Sequence, residues 1–187
     1  FLLGSRKGLE IIDLDKTLDK ITSVFSESKE IIKDGGNILS VGNCRETSLF
    51  TGALGRRNGI PFVNTKWVGG TLTNWDVFHE RLDNSTLGVK AKNKKMVPYL
   101  MNLKESKGRK PHIVVLLNVK GNEVAVREAL SLNIPTIGVV DTDTNPSNIT
   151  YPIPGNDVSV KVHFLYCQLL EWVFNEFYQT EKNENNI

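Results

Sequence analysis

Cysteine is scarce in this 187-residue chain: Cys44 and Cys167 stand far apart, and neither has a CxxC partner. That count supplies neither a zinc ribbon nor a disulfide framework, and two distant thiols read as buried side chains of a reduced, intracellular protein. Histidine is equally sparse. His79, His112 and His163 are scattered, and none sits at metal-ligand spacing with another His, Cys or carboxylate cluster. No apolar run approaches the roughly 18 residues of a membrane span. There is no GxGxxG, no Walker pattern and no GxSxG, so the dinucleotide fingerprint, the P-loop and the hydrolase nucleophile elbow are all missing. The chain opens on Phe1 rather than Met, so a presequence or amino-terminal segment can precede it, and no targeting signal is read from that end.

The residues present suit one globular domain with a full core. Hydrophobic residues make up 40% and charged residues 24%. The net charge of +2 is unevenly spread. Lys and Arg exceed Asp and Glu by one in residues 1–82 and by six in residues 83–110, whereas residues 111–170 carry −2 and residues 171–187 carry −3. A basic stretch between balanced or acidic regions lets a protein meet a polyanion locally.

Hydrophobic periodicity gives the element order. Residues 9–14 read as a short strand leading into a helix capped by Asp13 or Asp15. Leu14, Leu18, Ile21, Val24, Phe25, Ile31 and Ile32 recur at helical spacing. Residues 37–41 read as a strand, 46–57 as a helix and 61–64 as a short strand. Residues 71–82 begin another helix. The clearest buried strand is 112–117; then come a helix at 122–132, a strand at 136–140, an edge strand at 149–153 and a helix at 157–177, whose expected apolar face is Val158, Val162, Leu165, Leu169, Val173 and Phe177. Strands alternating with helices imply an α/β, flavodoxin-like three-layer sandwich with a mostly parallel sheet of about five strands. Residues 1–82 and 111–180 form that domain. The lysine-rich residues 83–110 break the rhythm and read as an inserted helical protrusion or hairpin, and residues 181–187 as a polar tail.

Ligands of such folds bind at the carboxyl ends of the strands. Asp141 and Asp143 there can bind magnesium or work as an acid/base pair, although carboxylates before Asn145-Pro146 more often cap turns. Arg45, in the loop Gly42-Asn43-Cys44-Arg45-Glu46, offers a weak phosphate cradle. The segment Lys66-Trp67-Val68-Gly69-Gly70 has two readings of equal weight: a tryptophan packed over a tight turn, or a loop whose backbone approaches phosphate beside Lys66, Arg56 and Arg57. Lys90, Lys92, Lys94 and Lys95 lie in the basic segment and point to phosphate contact rather than to a merely solvated face.

Three stretches together resemble a known family. Phe1-Leu2-Leu3-Gly4-Ser5-Arg6-Lys7 with the following Ile11-Ile12-Asp13-Leu14-Asp15-Lys16-Thr17, then Asn64 through Trp75, then Ile134-Pro135-Thr136-Ile137-Gly138-Val139-Val140-Asp141-Thr142-Asp143 with Tyr151-Pro152-Ile153-Pro154-Gly155-Asn156-Asp157, are similar in order to the S-two family of the bacterial-type small ribosomal subunit. The resemblance covers nearly the whole chain. It implies a flavodoxin-like domain with an inserted helical hairpin, a structural role on small-subunit ribosomal RNA beside other ribosomal proteins, and no enzymatic activity, metal, cofactor, small-molecule substrate or membrane. The motif positions carried over are Trp67, Gly69, Gly70, Asn74 and Trp75. The expected RNA-binding residues are Arg6, Lys7, Arg45, Arg56, Arg57, Lys66, Trp67, Gly69, Gly70, Asn74, Lys90, Lys92, Lys94 and Lys95. Three departures stand out. The segment between Trp75 and Pro111 is shorter than in bacterial relatives. Only Arg45 remains of a basic pair after the second strand. A His-rich stretch ahead of Phe1 is absent. A shortened, asparagine-rich, weakly basic version implies an organellar ribosome, mitochondrial first, with a bacterial or plastid one as the alternative. The competing expectation is a flavodoxin-like enzyme or nucleotide-binding domain using Asp141, Asp143 and Arg45.

Overall fold

A computed structural model describes residues 1–33, 36–86 and 96–184. Its elements are β1 (Leu2–Arg6), β2 (Leu9–Ile12), α1 (Leu14–Lys33), β3 (Ile38–Val41), α2 (Ser48–Asn58), β4 (Phe62–Val63), α3 (Trp75–Thr86), α4 (Met96–Leu103), β5 (Ile113–Leu116), α5 (Glu123–Ser131), β6 (Thr136–Val140), β7 (Tyr151–Pro154) and α6 (Val160–Glu184). Strands β3 to β7 form one sheet in the order β4-β3-β5-β6-β7, and every pair is parallel. Counted within that sheet, the order is the flavodoxin-like 2-1-3-4-5.

The strand sequences explain the layering. Ile38–Val41, Ile113–Leu116 and Thr136–Val140 are buried at every position, because helices cover both faces. Alternate residues feed opposite cores. Leu39, Val41, Val114 and Leu116 pack with Trp67, Leu72, Trp75, Tyr99, Leu103 and Val126 on one face. Ile38, Ile113, Val115, Ile137 and Val139 pack with Ile21, Val24, Leu54, Tyr166 and Leu170 on the other. Cys44 and Cys167 are both free thiols. Burial, helped by the Glu171 charge, pushes the Cys167 thiol up to about 12, which suits an inert packing residue.

Asp13 caps α1: its Oδ1 accepts the backbone N–H groups of Asp15 (3.2 Å) and Lys16 (3.3 Å), and these bonds hold its carboxyl below the usual range. The buried stripe of that helix, however, runs Thr17, Ile21, Val24, Ser28, while Leu14 and Leu18 are exposed. Two hydroxyl residues can occupy the core side because each is satisfied there. Thr17 Oγ1 donates to the Pro154 carbonyl at 2.8 Å, and Ser28 Oγ donates to the Phe25 carbonyl at 3.2 Å. In α6 the phase is likewise rotated from expectation. His163, Tyr166, Cys167 and Leu170 are buried, whereas Val158, just before the helix, and Leu165 are half exposed or more. Helix α6 has apolar residues on several sides, so periodicity alone cannot choose its inner face. Its backbone stays helical to Glu184, well into the segment expected to be a polar tail.

Two further features differ from expectation. Residues 9–12 do form a strand, but they pair antiparallel with β1 in a separate hairpin. Lys7 (φ 54°) and Gly8 (φ 78°) close it, both left-handed as a two-residue type I′ turn requires. The second correction concerns residues 83–110, expected to stand off the sheet as a unit. Tyr99 and Leu103 are 3% and 1% exposed within the core, and the buried Ser106 Oγ lies 2.9 Å from His79 Nε2. The carboxyl-terminal half of that segment is therefore part of the helix layer. Lys90, Lys92, Lys94 and Lys95 lie outside the described residues.

Candidate nucleic-acid interface

The sheet order reverses between β3 and β5, so a nucleotide would enter at the carboxyl ends of those strands. That crevice is filled by the chain's own amides. Asn43 Nδ2 donates to Asn122 Oδ1 at 2.7 Å, and Asn122 Nδ2 donates back to Asn43 Oδ1 at 3.1 Å and to the Asn118 carbonyl at 3.0 Å. Thr47 Oγ1 donates to Asn118 Oδ1 at 3.2 Å, and Asn118 Nδ2 to the Lys120 carbonyl at 2.9 Å. Thr47, Asn118 and Asn122 are all buried. The polar groups that a nucleotide site would present are thus spent on one another.

The carboxylates of the neighbouring loop do turn chemistry. Asp141 Oδ1 accepts Thr142 N–H at 2.6 Å and its Oδ2 accepts Asp157 N–H at 3.1 Å. Asp143 pairs with Lys120, and that hydrogen bond holds its carboxyl below the usual range. Asp157 is shifted the other way, by burial first and then by the charges of Asp141 and Asp143. Among the described residues, no group of three His, Cys, Asp or Glu side chains is arranged to hold a metal ion. The raised value has a stability consequence with a definite sign. The folded state binds the Asp157 proton more tightly than the unfolded state does. The ionised group therefore costs stability above its folded pKa, and the cost disappears as the pH falls to the ordinary value of 3.8. Asp157→Asn should raise the melting temperature at neutral pH. Thermal melts across the pH range should show the gain shrinking toward pH 3.8; a gain that is constant with pH would contradict this origin.

The loop after β4 follows the first of the two sequence readings, a tryptophan packed over a tight turn, with an organising group that neither reading contained. It leaves the strand end and crosses the helix layer between α4 and α5, where a carboxylate of α5 organises it. Glu128 Oε1 accepts the Trp67 indole N–H at 3.1 Å and the Gly70 backbone N–H at 2.8 Å. Glu128 Oε2 accepts the backbone N–H groups of Leu72 at 2.9 Å and Thr73 at 3.5 Å. Thr71 Oγ1 donates to the Val68 carbonyl at 2.6 Å and meets Tyr99 Oη, also at 2.6 Å. Burial pushes the Tyr99 phenol up to about 12, so it stays protonated. Gly70 has φ +87°, and a Cβ there would lie 2.7 Å from Asn74 Nδ2; a Cβ on Gly69 would meet nothing within 4 Å. The loop's backbone donors thus turn inward. Thr65, Lys66, Gly69, Thr73 and Asn74 face solvent.

Among the described residues, the expected interface positions are spread over several places in the fold. Lys66, Gly69 and Asn74 share the outer side of this loop. Arg56 lies close by: its guanidinium packs 5.5 Å over the Phe62 ring, and a Cβ at Gly52 would meet both it, at 3.1 Å, and the Asn64 amide, at 3.0 Å. Arg57 points elsewhere, to Glu171 on α6 at 3.6 Å. Arg45 is exposed beside the filled crevice, and Arg6 and Lys7 sit at the hairpin tip. Trp67 is buried, with its indole N–H engaged by Glu128, so it shapes the loop and offers no ring face to a base. Trp75 is 0% exposed and donates to the Gly108 carbonyl at 3.1 Å. Sequence reasoning missed Glu128. One signal could have found it: an acid three residues after Ala125 and next to Ala129, on the apolar side of an amphipathic helix.

The fold is thus a flavodoxin-ordered sheet whose switch point is closed by asparagine side chains, with a loop on one helix layer that turns Lys66 and Asn74 outward. Residues 1–176 match the family described as Ribosomal protein S2, and the chain belongs to that family. It is 32% identical over 188 residues to the small ribosomal subunit protein uS2 of Gluconobacter oxydans, covering 91% of this chain and 71% of the relative. It is 32% identical over 181 residues to uS2 of Thermobifida fusca and 33% over 180 residues to that of Corynebacterium kroppenstedtii. In both cases the match covers 86% of this chain, and it spans only 62% and 63% of those relatives' own lengths.

Proposed function

We propose that this chain is a structural constituent of a small ribosomal subunit, where it binds ribosomal RNA and neighbouring ribosomal proteins and turns over no small-molecule substrate. The observation that carries the reading is the family match along residues 1–176 of a domain whose nucleotide crevice is filled. The RNA contacts run through the exposed cations Lys66 and Arg56 beside the loop, Arg45 at the switch point, and Arg6 and Lys7 on the hairpin, together with the lysines at 90, 92, 94 and 95 of the basic segment. The protein contacts use apolar side chains left in solvent, such as Leu3 and Leu9 on the hairpin and Phe164 and Trp172 on α6. The ribosome is mitochondrial in this reading, with a bacterial or plastid one as the alternative; the shortened, asparagine-rich, weakly basic sequence supports it, and organelle fractionation tests it.

Binding by phosphates has a salt signature, because each neutralised phosphate releases condensed counterions. Contacts through these nine cations should lower the affinity for small-subunit ribosomal RNA by about four orders of magnitude between roughly 50 and roughly 200 mM salt. Lys66→Ala should reduce the slope of that plot by about one contact and leave the rest intact. Titration of the RNA at several salt concentrations, beside co-sedimentation with purified subunits, is the test. An affinity flat across that range would remove phosphate contact from the reading.

A further inference from the structure

Glu128 is buried, yet no ion pair among the described residues includes it. A carboxylate without a cation is expensive in an apolar layer unless several donors share its charge. Here the donors come from a single loop 55 to 61 residues away in the chain, and both carboxylate oxygens are used. Apolar side chains could fill the same volume. Only an anion can gather the N–H groups of Gly70, Leu72 and Thr73 around one point while also taking the Trp67 indole. The loop is therefore wound around an internal anion, in the way that backbone nests wind around a bound phosphate.

We infer that Glu128 is the positioning residue of the RNA-facing loop: it stands in for an external phosphate and locks residues 67–73, so that Lys66, Gly69 and Asn74 face outward in a fixed arrangement. This rests on the proposed RNA-binding role of the loop. It also changes how the loop would bind. Its inward N–H groups are occupied, so RNA meets Lys66 and the exposed Asn74 amide rather than a ring of free backbone donors.

The expected sign is opposite to that of simple electrostatics. Glu128→Gln removes a negative charge from beneath a phosphate-binding surface, and charge alone would tighten RNA binding. If Glu128 positions the loop, the amide nitrogen of Gln faces N–H donors, two of them lose their acceptor, and binding weakens. The expected loss of affinity for small-subunit ribosomal RNA is about tenfold at fixed salt, with helix content kept. Backbone exchange at Gly70 or at Leu72 should quicken by a similar factor, since the amide on the side of the new nitrogen loses its acceptor. Glu128→Asp keeps the charge on a side chain one methylene shorter; it should shift both readouts in the same direction by less, and it serves if the glutamine variant does not fold. Wild-type protein measured beside the variants separates the two claims. RNA binding by wild type that Glu128→Gln leaves equal or tighter overturns the positioning role, as does unchanged exchange at Gly70 and Leu72. Wild-type affinity that is flat in salt overturns the RNA reading of the loop, and the inference falls with it.

Discussion

Removing residues 84–108 and bridging the gap with a short Gly-Ser linker should abolish the cooperative unfolding transition. A protrusion would be dispensable, but half of this segment is core. The deletion takes away Leu103 and Tyr99, 1% and 3% exposed, from the face of the sheet that carries Leu39, Val41, Val114 and Leu116. Truncating one buried leucine to alanine costs about 2–5 kcal/mol, and a whole domain is stable by only about 5–15 kcal/mol. Losing both large side chains and the helix that carries them reaches that range without any other effect. The deletion also removes hydrogen-bond partners: Thr71 Oγ1 loses Tyr99 Oη, Asn64 Oδ1 loses Asn102 Nδ2, His79 loses Ser106, and the buried Trp75 indole N–H loses the Gly108 carbonyl. Urea titration followed by circular dichroism is the measurement. Leu103→Ala alone should keep a sigmoidal transition with a lowered midpoint, whereas the deletion should leave a broad, sloping curve. A deletion variant that still unfolds in one sharp step would show that α4 contributes nothing essential to this layer.

The docking of α4 marks how far a local pattern in sequence reaches. Strands β3, β5 and β6 are legible because continuous apolar runs between turn residues, alternating with helices, fit a sheet buried on both faces and little else. Asp13 is legible as a cap because its effect is confined to the next turn. The cluster Met96, Val97, Tyr99, Leu100, Met101 and Leu103 is equally visible in the sequence. Composition does not say whether such a cluster closes on itself or docks on a sheet, and the flanking lysines favour the wrong choice. Helix phase fails in α1 for a related reason. Thr17 and Ser28 are buried through hydrogen bonds to backbone carbonyls, one of them 137 residues away, and no period in the sequence encodes that partner. The loop shows both cases at once. Lys66 and the Gly69-Gly70 pair mark it as unusual, whereas Glu128, which gives it its shape, lies 58 residues from Gly70. The asparagines that close the switch point are 79 residues apart, and each by itself is an ordinary loop residue.

The two glycines of that loop, adjacent in sequence, should respond in opposite ways to the same substitution. Gly70→Val should strongly reduce occupancy in the small subunit, and Gly69→Val should assemble like wild type. At Gly70 the backbone has φ +87°, a conformation that a β-branched residue adopts only at a cost of about 1–3 kcal/mol. The new Cβ would also stand 2.7 Å from Asn74 Nδ2, so it must displace an outward-facing side chain of the proposed interface. Relieving the strain rotates the Gly70 N–H away from Glu128 Oε1, now 2.8 Å distant, and leaves a buried carboxylate with one donor fewer, worth about another 1–3 kcal/mol. The sum is comparable with the energy that holds one loop in place, and smaller than that of a sheet buried on both faces. The damage should therefore stay local: far-ultraviolet circular dichroism unchanged, with occupancy in purified subunits reduced about tenfold or more, since roughly 1.4 kcal/mol is a factor of ten in an equilibrium. Gly69 carries neither constraint. Its φ lies outside the left-handed region, and a Cβ there meets nothing within 4 Å, so valine costs the loop little unless RNA backbone already lies against that spot. The pair thus separates two roles. If both variants lose occupancy with native circular dichroism, Gly69 is a point of close approach and Gly70 a conformational requirement. If Gly70→Val assembles like wild type, the loop is not part of the assembly surface, and the RNA contacts must be sought among the lysines of the insertion.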